Sequence, residues 1–346
     1  MIQIDYTHPR KLHEIKQIHA DIKTLVSNIA LSKQIVIKQN TVNLSHTSQS
    51  FIDYLNDNGQ IVLDALLSSK PDILANTYIK DIESKFPDFV TDKAKVGKRN
   101  QTFSEVREVA YAIFVTNGYD KLKKKAEIYS ALDVDVCPYC NRSLITPIDE
   151  GNGKKTATGE LDHFYCKSRY PYLAVSLYNL VPSCGICNGK SRKGEKDLYG
   201  TRFQNPYLLT DNDGMSFGFK PTGVVTPNIE EAYKKFHIKY LFAPNHCLKY
   251  NFDTLKLKRI YSGFDYRTKV STIESVVRDF CNQSYIDTQV SKFQAMGFDL
   301  TLSSLIRDRL SVSVNKSEYS KNVDNKFVMD VFNQMVGYIN QPLLIR

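Results

Sequence analysis

No stretch of this 346-residue chain approaches the roughly 20 consecutive apolar residues that a bilayer-spanning helix needs. The opening MIQIDYTHPRKLHEIK lacks the apolar core of a secretory signal, so the expectation is a cytoplasmic protein without a membrane partner. Repeats of solenoid period and low-complexity tracts are also absent, which excludes arrays and long disordered linkers. Acidic residues are the minority charge: 37 Asp and Glu face 46 Lys and Arg, for a net charge of +9. That balance favours a polyanionic partner such as nucleic acid. The excess is spread as +3, +2 and +4 over residues 1–130, 131–210 and 211–346, so no basic tail accounts for it. With 42% hydrophobic residues, the chain can build two or three packed domains.

The pattern of apolar residues changes along the chain. From Pro9 to about Tyr129, residues such as Leu12, Ile15, Ile18, Ile22, Leu25, Val26 and Ile29 recur at steps of three and four, one buried helix face. Similar spacing at Phe51, Leu55, Val62 and Leu66, and at Phe103, Val106, Val109 and Ile113, predicts four to six helices in an N-terminal domain, 1–130. Ser104 sits at a helix start, and Asn117-Gly118 at a stop. After Asp135, cysteine, glycine and proline enter, and 151–159 reads as a polar turn. Beyond Asn205-Pro206, the alternation from Met215 to Val225 around Pro221-Thr222-Gly223 predicts a hairpin. Helical patterns return at about 228–242, 268–292 and 318–338. The expected class is α+β and mostly helical, with a middle unit at 131–210 and a mainly helical C-terminal domain at 211–346.

Seven cysteines in a reducing compartment argue against a disulfide framework. Four form two C-x2-C pairs, Cys137/Cys140 and Cys184/Cys187, separated by 43 residues. Two pairs of thiolates suit the tetrahedral preference of one structural Zn²⁺ and clamp distant segments together. Iron–sulfur clusters also take four cysteines, but the spacing differs from the ferredoxin patterns. Cys166, Cys247 and Cys281 stand apart, as small core or surface residues.

Between the pairs lie Glu160-Leu161-Asp162-His163 and, later, Asn179-Leu-Val-Pro-Ser-Cys184-Gly-Ile-Cys187-Asn188. These residues resemble the HNH, or ββα-metal, endonuclease family, whose zinc-knuckle members run C-x2-C, a strand ending in D-H, then N-L-x3-C-x2-C followed at once by His or Asn. The stretch LDHFYCKSRYPYLAVSLYNLVPSCGICNGKS is similar to the HNH nucleases of Septu and retron-associated bacterial anti-phage defence systems. Cys166 stands where those members usually carry Pro, outside the chemistry. The resemblance covers about 134–210 and is silent on both flanks.

It implies a zinc-stapled ββα-metal core in which Asp162 and Asn188 hold a catalytic Mg²⁺ or Mn²⁺, His163 activates water and Asn179 fixes the loop that aims it. Chemistry agrees with this assignment. Phosphodiester hydrolysis needs a nucleophile made near neutral pH and a cation for the developing charge, and Asn in place of the last His makes a harder-ligand site. Glu160 shares a strand face with Asp162 and is either an assisting ligand through water or a surface carboxylate.

Lys167, Arg169, Lys190 and Arg192 are candidates for phosphate contacts, with Lys190 preferred; a solvated helix face explains Lys193 and Lys196 equally well. Lys121 to Lys125, with Tyr119 nearby, is a candidate extension of that track. His8, His13, His19, His46, His237 and His246 read as structural or exposed. The function expected is a DNA-cleaving HNH endonuclease of a defence system, partnered by an ATPase of the same operon. An RNA-cleaving nuclease and a non-catalytic zinc module binding nucleic acid or protein are the alternatives.

Overall fold

A computed structural model describes residues 3–4, 12–210, 214–223, 231, 234–244, 246–297 and 301–339. The class is the expected one, predominantly helical with small sheets. Helix α1 (His13–Ser32) buries Ile15, Ile18, Ile22, Val26 and Ile29 along one face and stops at Lys33, whose left-handed backbone returns its N–H to the Ile29 carbonyl. Helices α2 (His46–Asn56) and α3 (Ile61–Ser68) follow, α2 capped by the Ser45 side chain on the Ser48 N–H.

Between α1 and α2 lies a hairpin the periodicity did not predict, β1 (Gln34–Ile37) with β2 (Asn40–Asn43). Its turn residues, Lys38 and Gln39, both have positive φ. Neither is a residue that favours that region, so the turn left no signal in the sequence. Ser104 caps the helix Glu105–Ala110 as predicted, accepting from the Arg107 N–H. The helix continues with π geometry through Tyr111–Thr116 and ends at Asn117-Gly118.

The middle segment is built from short pieces. Strands β3 (Ile148–Asp149) and β4 (Lys155–Thr156) close over the polar turn, and β5 (Glu160–His163) pairs antiparallel with β6 (Leu180–Ser183). A single-turn helix, Gly185–Asn188, follows β6 directly. Gly159 permits the approach to β5: a Cβ there would lie 2.7 Å from the Ser183 carbonyl oxygen and 2.8 Å from the Tyr129 hydroxyl.

Two expectations for the C-terminal segment need correction. Strand β7 (Met215–Pro221) does not turn back at Pro221-Thr222-Gly223; it pairs with β8 (Phe236–Phe242), in the register Phe217↔Tyr240. The helix expected over 228–242 therefore ends as a strand, because Met215, Phe217, Phe219 and Phe236 bury their side chains in the core, and period 2 serves that face. Val225 and most of 224–233 lie outside the described residues, as does His8. The pattern at 268–292 is two helices, Phe264–Phe280 and Gln283–Ala295, divided where Asn282 caps the second; the last is Asn325–Ile339.

Buried apolar residues form one contiguous core through all three segments. One polar residue ties the middle segment to the last. Asn141, buried and left-handed at φ 50°, accepts the Lys326 N–H on Oδ1 at 3.0 Å and donates Nδ2 to the Tyr319 carbonyl at 2.9 Å. Its carbonyl accepts the Asp324 N–H at 2.6 Å. Asn141→Ala strands both side-chain partners and strains the backbone, an expected cost of about 2–4 kcal/mol. Chemical denaturation measures it; Asn141→Gly separates the backbone share from the hydrogen bonds.

Candidate active site

The four paired cysteines converge. All four Sγ atoms lie within 4.8 Å of one another, with Cys140 and Cys184 4.0 Å apart, close to the roughly 3.8 Å edge of a tetrahedron with 2.3 Å zinc–sulfur bonds. The first pair sits in a tight turn in which the Cys140 and Asn141 N–H groups both reach the Cys137 carbonyl. The second caps the helix Gly185–Asn188, Cys184 Sγ accepting from the Cys187 N–H. Hydrogen bonding to Cys137 pushes Cys184 well down, while Cys187 is pushed well up. Four thiolates this close repel one another, a condition a divalent cation relieves. The cluster can hold a metal such as zinc. None of the seven cysteines is in a disulfide.

His163 ends β5 and is buried, at 8% exposed. Its Nε2 lies 2.9 Å from the Ala174 carbonyl oxygen. A carbonyl only accepts, so Nε2 carries the proton and Nδ1 keeps its lone pair, the tautomer a general base requires. Burial first, then Lys167, pushes the His163 pKa down to about 3, so the ring is neutral at working pH.

Three consecutive carbonyls of the same loop are held by side chains. Asn179 Nδ2 reaches the Leu173 oxygen at 2.9 Å, His163 takes Ala174, and His19 Nε2 lies 2.8 Å from the Val175 oxygen. Asn179 also grips Tyr165 at both its N–H (2.7 Å) and its carbonyl (3.0 Å). His19, read from the sequence as structural or exposed, thus braces the loop from α1, and Arg107 braces it again through the Ser168 carbonyl at 2.7 Å.

Asp162 points to the opposite face of β5, as period-2 alternation dictates. It is 3% exposed, and both carboxylate oxygens are engaged: Oδ2 accepts from the Tyr139 hydroxyl at 2.6 Å and Oδ1 from the Lys193 ammonium at 2.7 Å. Lys193, for which the sequence leaves a phosphate contact and a solvated helix face equally open, is 0% exposed. Asn188 donates its Nδ2 to Glu160 Oε2 at 2.7 Å. Asp162 and Asn188 thus have different partners. The donor set does not fit a divalent cation bridged between them, because the buried carboxylate already accepts from an ammonium and a phenol.

The four candidate phosphate contacts divide in the same way. Lys190 is exposed and has no ion pair among the described residues. Lys167 lies 4.3 Å above the Tyr119 ring and 3.5 Å from Asp120. Arg169 donates to the Glu195 and Lys93 carbonyls and Arg192 to the Leu255 carbonyl, so both tie backbone together. Lys125, from the N-terminal run, lies 5.2 Å from the Tyr119 ring centre, and that ring meets His163 edge-on at 4.4 Å.

The chain is similar to the Septu protein PtuB of Bacillus thuringiensis, 38% identical over 77 residues. The matched stretch is 22% of this chain and spans 26% of that protein's length. No protein-family model and no solved structure matches the chain. Among the described residues, no helix is long and apolar enough to cross a membrane.

Proposed function

We propose that this chain is an HNH endonuclease that hydrolyses the phosphodiester bonds of DNA, and that it serves as an effector nuclease of bacterial anti-phage defence. The observation that carries the reading is His163: a neutral, buried imidazole with Nε2 anchored on a loop carbonyl and Nδ1 left to accept. The HNH-like motif order and the likeness to a Septu protein support the defence assignment. The partner proposed is an ATPase of the same operon.

In this reading Cys137, Cys140, Cys184 and Cys187 hold one zinc ion. Four protein ligands leave no position for water, so its work is to staple the two strands' flanks. His163 Nδ1 takes a proton from water as the water oxygen attacks phosphorus; the phosphorus–oxygen bond to the leaving group breaks, and that oxygen takes a proton from solvent. Asn179 and His19 hold the loop that fixes the ring. No step is routed through a divalent cation at Asp162.

Tyr119, with Lys125 and Lys167 at its ring, forms a basic lip beside the base, suited to a phosphate group. Replacing Lys125 and Lys167 together by Gln is expected to weaken DNA binding and to flatten its salt dependence by about one logarithmic unit per lysine. Fluorescence anisotropy across a salt series checks this; an unchanged slope places the DNA elsewhere. Incubating the purified chain with matched duplex DNA, single-stranded DNA and RNA, in Mg²⁺, Mn²⁺ or chelator, tests the substrate. DNA cleavage is the result expected, and RNA cleavage alone would reassign it.

A further inference from the structure

The resemblance implies that Asp162 is the ligand of an exchangeable divalent cation, and the structure disagrees. Lys193 is a fully buried ammonium whose Nζ lies 2.7 Å from Asp162 Oδ1 and 2.6 Å from the main-chain oxygen of His163. One side chain thus bridges two consecutive residues at the end of β5, the second of them the candidate base. A buried lysine without a counter-charge is costly, and so is a buried carboxylate. Each is here the other's charge partner, with the third contact closed by Tyr139. Both supports grow out of the cysteine turns: Tyr139 lies between Cys137 and Cys140, and the Lys193 N–H donates to the Cys187 carbonyl at 3.2 Å. The cysteine cluster is linked by two short paths to the strand end that carries His163.

We propose that Lys193 is the fixed cation of this site, a positioning residue that holds the His163 backbone through Asp162 and the His163 carbonyl, and that Asp162 is an internal anchor closed to exchangeable divalent cations. The positioning role rests on the nuclease reading; the closure of Asp162 does not. A side chain with no exposed surface cannot touch substrate, so its effect reaches the chemistry only through the placement of the ring. Asn188 Nδ2 and the Oε2 of the exposed Glu160, 2.7 Å apart, form a separate hydrogen bond outside this closed pair.

Manganese binding to the full, zinc-loaded chain, read by electron paramagnetic resonance, tests the closure without reference to activity. Asp162→Asn is nearly isosteric and keeps an oxygen for Lys193. It is expected to bind Mn²⁺ as wild type does, or, like wild type, not at all. Lys193→Met uncovers the carboxylate and is expected to gain Mn²⁺ affinity, a gain lost again in the Lys193→Met/Asp162→Asn double variant. A drop of about tenfold or more in Asp162→Asn, the scale on which metal sites respond to loss of a coordinating or supporting group, would make Asp162 a ligand and overturn the proposal. Lys193→Met that folds and gains no affinity would overturn it too. If Lys193→Met does not fold, the Asp162→Asn comparison decides alone.

For the positioning role, Lys193→Met is expected to lower kcat with KM and zinc content unchanged, and a rise in KM at constant kcat would contradict it. Absence of nucleic-acid cleavage by wild type would sink the nuclease reading and the positioning role while leaving the manganese result to stand.

Discussion

Stripping the metal from the four-cysteine cluster, or replacing Cys184 by Ser, is expected to unfold the middle segment of the protein and to abolish whatever chemistry it performs. The cluster closes a loop of 43 intervening residues, and the strands β5 and β6 it flanks are short, four residues each in a two-stranded sheet. Structural zinc sites bind with about 10–16 kcal/mol in small peptides at neutral pH, as much as the whole stability of an ordinary domain. The damage should spread. Tyr261 donates its hydroxyl to the Cys140 carbonyl, and Asn141, next in the chain, holds the start of the last helix. Elemental analysis of protein purified without added metal should give one zinc per chain, and thermal melting should show loss of cooperativity with chelator. Less than about half an equivalent, for a single-ion site, or an unchanged metal content in Cys184→Ser, contradicts the assignment.

Replacing His163 by Ala should cost on the order of 10² to 10⁴ in cleavage rate, the usual worth of a positioned general base, with DNA affinity and zinc content retained. The pH dependence is more discriminating. Burial and Lys167 hold the free imidazole down at about 3, so the neutral, proton-accepting form persists far below the usual histidine range near 6.5. The acid limb of kcat/KM, which reports the free protein, is expected below pH 5. A bound phosphate brings negative charge beside the ring and favours the imidazolium, so the acid limb of kcat should lie at higher pH than that of kcat/KM. Coincident limbs near 6.5 would mean a ring exposed to solvent. The same burial makes stability fall as pH drops from about 6.5 toward 3, because the unfolded chain then binds a proton that the folded one refuses.

Much of this site is legible in the sequence because local spacing encodes it. The cysteine pairs are read at once, since two residues between sulfurs is a ligand geometry, and the strand Glu160–His163 lies where the resemblance implies a strand ending in Asp-His. The helix face of α1 is equally plain. What escapes are partners fixed only by the fold. Nothing local distinguishes the buried Lys193 from the exposed Lys190 three positions earlier, because its burial depends on Asp162 and Tyr139 arriving from other segments. His19 lies on a helix 156 residues from the carbonyl it supports. The pairing of β7 with β8 was missed for a related reason: the Pro-Thr-Gly turn signal is strong locally, yet the apolar alternation that completes the sheet resumes only at Phe236.

The measurement that tests the account most directly is plasmid cleavage by the purified, zinc-loaded chain beside its His163→Ala variant, with zinc content and DNA binding determined on the same samples. The account predicts hydrolysis by wild type and a loss of about 10² or more in the variant, the scale of a lost general base, with zinc and binding intact. Equal rates in the two proteins, or no hydrolysis of any nucleic acid by wild type, would contradict it.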